Sequence, residues 1–372
     1  MARREKSLQG REDGRGVEIP SLRMLRLYAR SVWGQDIKPN TPEASIKYEK
    51  QGEDEFKIPG IGSAGAEKLH SYLESEGFVL AFDGTVTDEY FELKNESANG
   101  ALGDWPRIRH RVGVRQNKKT GEMEQVNEFV FTLKDFEVRP GERTEHANLT
   151  FKAADYGEGD AGVNAAHDAA LAAMRTFIER QFPGKKGEDV QLWVVWKKHR
   201  TSHAGHFVEE GGKAYGIKED TDTQESRAVI FQEDSTITND DRVKLLALYE
   251  QAGAQAPDIL TGEGDVAIPE GYRLEVPLTG VSTYAEFEVM FPVIYDTDPP
   301  EVKARKEKIK GNLIAKRNAL VDYLRRERIV DPSLGISRGG LDVVLEHHNV
   351  PDVGMKKSSR DAFERRQEKK KA

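Results

Sequence analysis

A chain of 372 residues can bury large hydrophobic cores and more naturally forms two domains than one. Its composition, 37% hydrophobic and 32% charged, suits a soluble protein, and no apolar run approaches the roughly 20 residues that a membrane span requires. We therefore expect a cytoplasmic protein with no membrane contact. Because the chain has no cysteine, disulfides, thiol catalysis and cysteine-ligated zinc or iron–sulfur clusters are excluded, and we predict no cofactor and no metal.

The formal net charge of −8 is spread unevenly along the chain. Residues 1–48 and 301–372 carry an excess of Lys and Arg, whereas 49–300 carries a large excess of Asp and Glu. Because an acidic body repels nucleic acid, we expect any DNA contact to be confined to the basic ends and to local patches. The opposite charges of body and ends could equally attract neighbouring copies and favour self-assembly.

The N-terminal part of the chain is predicted to be a tail followed by helices. Residues 1–16 are charged, contain glycine and show no periodicity, which predicts a disordered tail. A helical region is expected over 17–77, and its first helix runs from the N-cap Ser21 to Trp33 and ends at Gly34. One side of this helix, which is either solvated or in contact with a phosphate or an acidic partner, carries Arg23, Arg26 and Arg30.

Segment 56–76 joins a Pro-Gly turn to a helix. It begins Phe-Lys-Ile-Pro-Gly-Ile-Gly and then places Ala66, Leu69 and Leu73 at helical spacing. This pattern resembles the helix-hairpin-helix element of X-family DNA polymerases, Holliday-junction proteins and repair nucleases. In that family two glycines let the hairpin backbone approach a DNA phosphate, and the next helix presents free N–H groups to it. The resemblance implies sequence-independent DNA binding.

The resemblance assigns DNA contacts to Lys57, Gly60, Ile61, Gly62 and Lys68. The first helix of the pair is predicted to begin at Thr41, an N-cap followed by a proline. An acidic insert at 51–55 would repel a phosphate docked nearby. The alternative interpretation is a Pro-Gly turn that opens an ordinary core helix.

Residues 78–298 are predicted to form an α+β body of mainly antiparallel sheet. A hairpin turn is expected at Asp83-Gly84, and 211–226 is predicted to be a mobile loop. The predicted strands lie within 78–94 and at 107–115, 127–136, 147–153, 190–196, 228–232, 272–277 and 285–295. The predicted helices of the body are 164–181 and 239–251.

Residues 107–115 alternate strictly between two kinds of side chain. One face of the predicted strand carries Arg107, Arg109, Arg111 and Arg115. A strand with four arginines on one face needs an anionic partner. That partner is either the protein's own acids across the following hairpin, at Glu122, Glu124 and Glu128, or a nucleic-acid backbone.

The C-terminal part is predicted to be a helical region at 299–350 followed by a basic tail at 351–372. A long helix at 301–328 carries a narrow apolar stripe amid many Lys and Arg residues. The stripe consists of Val302, Ile309, Leu313, Leu320 and Leu324. A narrow stripe suits packing on one neighbour, either in the same chain or in another copy, so a homo-oligomer through 301–328 is possible.

Two constellations in the body could carry chemistry. Asp83, Glu92 and Lys94 have the spacing of a restriction-type nuclease core, in which two carboxylates hold Mg²⁺ and a lysine positions the attacking water. A second set, His199, His203 and His206, either lies exposed in a loop or shares a metal ion. Residues 82–88 resemble the first motif of haloacid-dehalogenase-type phosphatases, but that family has a nucleophilic aspartate two residues before the position of Asp83, where this chain has Ala81, so this activity is excluded.

The leading hypothesis is therefore a non-enzymatic accessory protein that binds DNA through the hairpin at 58–62 and the arginine strand. One alternative is a structural or assembly protein of a virion or another large particle, located in the virion. The other is a Mg²⁺-dependent nuclease.

Overall fold

The computed structural model describes most of the chain between residues 20 and 329. The described residues are 20–47, 51–59, 61–93, 106–134, 142–182, 184–231, 236–269, 272–277 and 283–329. Their helices are Leu22–Val32 (α1), Gly62–Ser75 (α2), Ala153–Tyr156 (α3), Gly159–Gln181 (α4), Asn239–Gln251 (α5) and Pro300–Arg326 (α6). None of these described helices has the length and apolar character that crossing a membrane requires.

Strands account for much of the rest of the described chain. They are Gln35–Asp36 (β1), Gln51–Pro59 (β2), Val79–Leu93 (β3), Arg107–Gln116 (β4), Met123–Lys134 (β5), Glu142–Lys152 (β6), Val190–Glu210 (β7), Lys213–Phe231 (β8), Thr236–Ile237 (β9), Val266–Ala267 (β10), Arg273–Pro277 (β11) and Thr283–Phe291 (β12). Together with the helices they confirm the α+β fold class.

Eight of the strands close into an antiparallel barrel. They pair in the order β6-β2-β12-β8-β7-β3-β4-β5, and β5 then pairs with β6 to complete the ring. β1 adds to β6 in parallel, and β11 adds to β8. Closure satisfies the backbone groups of both edges of the sheet, and it gives every strand one face toward the lumen and one face outward.

Apolar side chains cover parts of the outside of the barrel, and helices pack on them there. α4 lies against the outward-facing Phe129, Phe131 and Phe151 of β5 and β6. α2 and α6 lie against the outward-facing Phe287 and Val289 of β12. The main hydrophobic cores are therefore formed between the barrel wall and its helices.

Helix α1 sits in one mouth of the barrel. Its Tyr28, and Trp33 directly after its last residue, are buried against inward-facing apolar residues of several strands. Those residues are Phe82, Val86, Val126, Ala204, Ala214 and Met290. At the other end of the lumen Trp196 and Tyr284 stack, with ring centroids 6.1 Å apart, and begin an apolar cluster that continues to α5.

The predicted hairpin turn at Asp83-Gly84 is wrong, because β3 runs without a turn from Val79 to Leu93. Gly84 lies directly opposite Gly113 on β4. A Cβ on Gly84 would come within 2.3 Å of the Val112 carbonyl oxygen. Glycine is needed here because the two strands approach each other closely. The same Asp-Gly dipeptide is common in hairpin turns, which explains the wrong prediction.

Two other polar segments are strands and not the structures that their composition predicts. Part of the expected loop 211–226 forms β8, after a turn at Gly211 and Gly212 with positive φ. The expected first helix at Thr41 is only a short 3₁₀ turn, Glu43–Ser45, and the acidic insert lies in β2. β8 and β2 both place charged side chains in the lumen, so their sequences resemble those of solvent-exposed loops.

The apolar stripe of the long C-terminal helix packs on the chain's own barrel. Ile309, Leu313, Leu320 and Leu324 are buried in one cluster with residues of α2 and β12. This contact corrects the expectation that the stripe is exposed, whereas a homo-oligomer through 301–328 stays a prediction. The basic tail at 351–372 lies outside the described residues.

We predict that Leu313→Ala lowers the free energy of unfolding by about 2–5 kcal/mol, because it opens a cavity between α6 and the barrel. Asn312→Ala, one position earlier on the exposed side of the same helix, is the control and should change stability by less than about 0.5 kcal/mol. Urea unfolding measures both. Equal, small effects would show that α6 is not packed on the barrel in solution.

Candidate functional site

The lumen of the barrel is lined with charged side chains. Its cationic residues are Lys57, Arg107, Arg109, Arg111, Arg115, Lys198, Arg200 and Lys218. Its acidic residues are Glu53, Glu55, Asp88, Glu128, Asp220, Asp222, Glu286 and Glu288. Burying so many charges is costly unless each is compensated, so the lumen is the strongest candidate for a functional site.

Two carboxylates organise the part of the lumen nearest Trp196. Asp88 accepts hydrogen bonds from Arg109 Nε at 2.6 Å and from Arg109 Nη2 at 2.9 Å. Asp222 accepts from Arg200 Nε at 2.6 Å and lies 2.8 Å from Lys198 Nζ. Because Lys198 Nζ is also 3.3 Å from Asp88, it links the two pairs into one network.

The middle of the lumen holds lysines between carboxylates of neighbouring strands. Lys57 Nζ is 2.7 Å from Glu55 and 2.8 Å from Glu286. Lys218 Nζ is 2.7 Å from Glu288 and 3.0 Å from Asp220. Each lysine therefore shares its charge between two acids, and a ligand with its own anionic groups could compete for it.

Arginines and Trp33 meet at the α1 end of the lumen. Arg115 Nη1 donates to Glu128 Oε1 at 2.7 Å, and the guanidinium carbon of Arg111 lies 4.7 Å from the centroid of the Trp33 ring. The Nε atoms of Arg111 and Arg115 and Oε2 of Glu128 are buried without a hydrogen-bond partner. Orphaned buried polar atoms are rare in folded proteins, and here two of them are donors that could bind an anion.

The charges are arranged with opposite signs on opposite walls. β4 contributes four arginines, whereas β12 contributes Glu286 and Glu288 and no cation to the lumen. In the ring of eight strands β4 and β12 are four places apart, so they face each other across the axis. The neighbour of β12, β2, adds Glu53 and Glu55 to the acidic wall, together with one cation, Lys57.

Burial and pairing shift the pKa values of these groups in different directions. Burial alone would raise the pKa of Asp88, but Arg109 and Lys198 outweigh it and hold that pKa well below the usual range. Burial lowers the pKa of Lys198 to about 8, although Asp222 opposes the shift. Burial likewise lowers the pKa of Arg111 to about 9, against the attraction of Glu128. The aspartate is therefore firmly ionised, whereas Lys198 can lose its proton close to neutral pH.

The structure separates the residues that the helix-hairpin-helix resemblance brought together. Lys57 is only 1% exposed and points into the lumen, Ile61 is buried in the core under α6, and Lys68 is exposed on α2. Gly62, with φ of +63°, begins α2, and Gly60 lies outside the described residues. The two lysines therefore do not share a surface on which DNA could dock.

The arginine strand is also directed inward. The protein's own acidic side chains, and not a nucleic-acid backbone, are the partners of this strand, because Arg115 pairs with Glu128 and with Glu124. Arg109 pairs with Asp88, which the sequence analysis did not single out. A closed barrel leaves these guanidinium groups no contact with a DNA backbone.

The nuclease constellation is not assembled. The carboxylate of Asp83 lies on the outer face of β3 and accepts hydrogen bonds at 3.0 Å from Thr201 Oγ1 and, at the same distance, from His199 Nε2. Glu92 is nine residues further along the same strand, which corresponds to roughly 30 Å. Lys94 lies outside the described residues.

The three predicted histidines do not form one site. His199 is paired with Asp83, and His206 packs edge-on against the Phe78 ring. His203 lies instead beneath α2, next to His70 and Glu219. All three belong to β7 and not to a loop, because a bulge between Gly205 and Val208 allows the strand to continue.

The local patterns of the sequence do not predict most of the lumen, although one signal of it is present. Glu53, Glu55 and Lys57 alternate with Phe56 and Ile58 at the spacing of a strand with one polar and one apolar face. The same alternation recurs in β12, where Glu286 and Glu288 alternate with Phe287 and Val289. The sequence nevertheless predicts an acidic insert at 51–55 and a mobile loop at 211–226, since a polar interior face has the same pattern as a polar exterior face.

Comparison with protein-family models and with curated proteins gives no match. Several solved structures are similar. A putative adenylyl cyclase from Hippeastrum, described as having a dominant triphosphatase activity, is 12% identical with a TM-score of 0.36, and the match covers 83% of this chain and 98% of that chain.

Two further structures are similar at the same level. A putative adenylate cyclase from Vibrio parahaemolyticus is 11% identical with a TM-score of 0.32, over 79% of this chain and 98% of that chain. The Schizosaccharomyces pombe Mediator head module is 8% identical with a TM-score of 0.32, over 74% of this chain and 96% of that chain.

The hypothesis of a non-enzymatic DNA-binding accessory protein is wrong. Its arginine strand and Lys57 lie inside a closed barrel, where a DNA backbone cannot reach them. The buried α6 stripe removes the basis of the assembly alternative, and the separation of Asp83 from Glu92 removes that of the nuclease.

We predict that Asp88→Asn destabilises the protein by about 3–5 kcal/mol, because it leaves Arg109 and Lys198 buried without their shared counter-charge. The control is Glu188→Gln, which removes an exposed ion pair with Lys186 and should cost less than about 1 kcal/mol. Chemical denaturation of both variants measures the difference. A value for Asp88→Asn as small as the control would mean that water reaches this network.

Proposed function

We propose that the barrel lumen binds a triphosphate or a similar short polyphosphate, together with a divalent cation, and hydrolyses a phosphoanhydride bond. The observation that carries this proposal is a closed lumen in which a row of arginines faces a wall of carboxylates. A polyphosphate is a linear polyanion, and the arginine strand offers it cationic donors at 107, 109, 111 and 115, which all lie on the lumen face of β4.

The carboxylate wall suits the cation that accompanies a polyphosphate. Mg²⁺ prefers oxygen ligands and is usually held by one or two carboxylates plus phosphate oxygens. Glu55 and Glu288 are direct cross-strand neighbours, which puts two like charges side by side. Their partners Lys57 and Lys218 would turn to the phosphates when a cation takes their place.

Charge balance supports the same ligand. The lumen is compensated internally, so an anion or a cation alone would leave surplus charge in a buried space. A cation–polyphosphate complex brings both signs and can exchange with existing pairs on both walls. The unpartnered Nε atoms of Arg111 and Arg115 would gain acceptors in the process.

The arrangement also fits hydrolysis. Phosphoryl transfer requires little covalent chemistry from the protein and depends on positioning and on stabilising the charge of the transferring group. Arginines and lysines fixed by buried carboxylates are preorganised for that task. In the proposed reaction a water oxygen bonds to the terminal phosphorus, the bridging P–O bond breaks, and the water proton leaves to a phosphate or carboxylate oxygen.

The direct test is calorimetric titration with inorganic triphosphate in the presence of Mg²⁺ or Mn²⁺, with phosphate release measured in parallel. We expect Arg111→Gln to weaken binding by roughly 10- to 100-fold, since it removes charged hydrogen-bond donors from the lumen. Arg30→Gln, an exposed arginine of α1, is the matched control and should bind like the unmodified protein. Absence of both binding and phosphate release in the unmodified protein would refute the proposal.

Triphosphate affinity should fall as pH rises through about 8, because burial holds the pKa of Lys198 near that value and the neutral amine no longer attracts the anion. A bound anion favours the charged form of Lys198 and so raises its pKa. The decline in triphosphate affinity should therefore be centred above the pKa that Lys198 has in the free protein. Titrations between about pH 7 and 9.5 measure it. Lys198→Arg keeps its charge over this range, so any dependence left in that variant comes from the ligand or other groups.

A further inference from the structure

A second cluster of potential ligands lies outside the barrel, between its wall and α2. His203 on β7 and Glu219 on β8 are direct cross-strand partners. Their chain neighbours Ser202 and Asp220 are hydrogen-bonded in the lumen, so His203 and Glu219 point the other way. His70 of α2 completes the group, and the ligand atoms of the three residues lie within 4.8 Å of one another.

The atoms in this cluster are spaced as ligands and not as a hydrogen-bonded pair. His203 Nδ1 and Glu219 Oε2 are 3.5 Å apart, and neither buried atom has a hydrogen-bond partner. Two ligands about 2.1 Å from a tetrahedral zinc ion stand about 3.4 Å from each other. The observed separation therefore leaves room for an ion between them.

Thr221 fixes the remaining geometry of the cluster. Its hydroxyl donates to Glu219 Oε1 at 2.5 Å and lies 2.9 Å from His70 Nε2. This contact orients the carboxylate with Oε2 left free, as an outer hydrogen-bond partner does in metal sites. The rings of His70 and His203 are 4.7 Å apart between centroids, so α2 brings the second imidazole to the first.

We propose that His70, His203 and Glu219 bind a zinc ion or a similar transition-metal ion, with water as a fourth ligand. Two imidazole nitrogens favour such an ion over Mg²⁺ or Ca²⁺, which prefer oxygen. His203 and Glu219 are almost fully buried, whereas His70 is partly exposed and gives the ion a path from solvent. Because the ligands come from α2, β7 and β8, the ion ties the helix to the barrel.

The experiment is titration of chelator-treated protein in the absence of phosphates. Zn²⁺ binding is measured by calorimetry, and Co²⁺ binding is measured by the visible absorption of a tetrahedral site. We expect one high-affinity ion per chain and a Zn²⁺-dependent rise in melting temperature. His203→Ala and the nearly isosteric Glu219→Gln should weaken binding by more than the roughly 10- to 100-fold that loss of an outer partner costs. Thr221→Val should fall within that range.

Two controls separate this site from other metal-binding groups. His199→Ala removes a half-exposed histidine of the same strand and should leave affinity unchanged. Glu288→Gln removes a lumen carboxylate and should also leave Zn²⁺ affinity unchanged, which makes the result independent of the proposed polyphosphate site. Absence of tight binding in the unmodified protein, or equal binding by Glu219→Gln, would overturn the proposal even if His203→Ala fails to fold.

Discussion

Pairing of β6 with both β5 and β2 closes the sheet, and most other features of the molecule depend on this closure. In an open sheet the charged face of β4 would be accessible to solvent and to large partners. In a closed ring the same side chains are enclosed, and each must find a compensating charge on another strand. The ion pairs from Asp88 to Arg109 and from Asp222 to Arg200 are the result.

This closure also determines where hydrophobic burial occurs. Side chains normally fill the interior of a small barrel. Here the middle of the interior is charged, apolar side chains lie at its two ends, and the apolar faces of β5, β6 and β12 point outward. The helices α2, α4 and α6 then provide the second layer that each outward face requires. Stability comes from the wall-to-helix clusters, so the lumen can retain charges whose burial contributes little to folding.

Local patterns in the sequence predicted many elements correctly. Strand 107–115 and helix 239–251 match β4 and α5 almost residue for residue, because their periodicity is regular and their ends carry ordinary signals. The pairing of Arg115 with Glu128 followed from a short hairpin. These features depend on residues that are close in the chain.

The lumen could not be predicted in the same way, because it depends on contacts between distant segments. Nothing near β2 shows that it lies between β6 and β12, or that Glu55 faces Glu288. The charged residues of β2 and β8 therefore predict an acidic insert and a mobile loop instead of strands. The hairpin turn predicted at Asp83-Gly84 is wrong for a related reason. The residue that requires a glycine at position 84 is Gly113, which lies on another strand.

The position of Trp33 over Arg111 and Arg115 has a kinetic consequence. Because α1 fills that mouth of the barrel, a molecule can pass through it only while the helix is displaced. The rate of passage is then set by how often α1 opens locally, and not by diffusion to the protein. Exchange through that mouth would be slow and steeply temperature-dependent, and hydrogen exchange at the amides of α1 would report the frequency of opening.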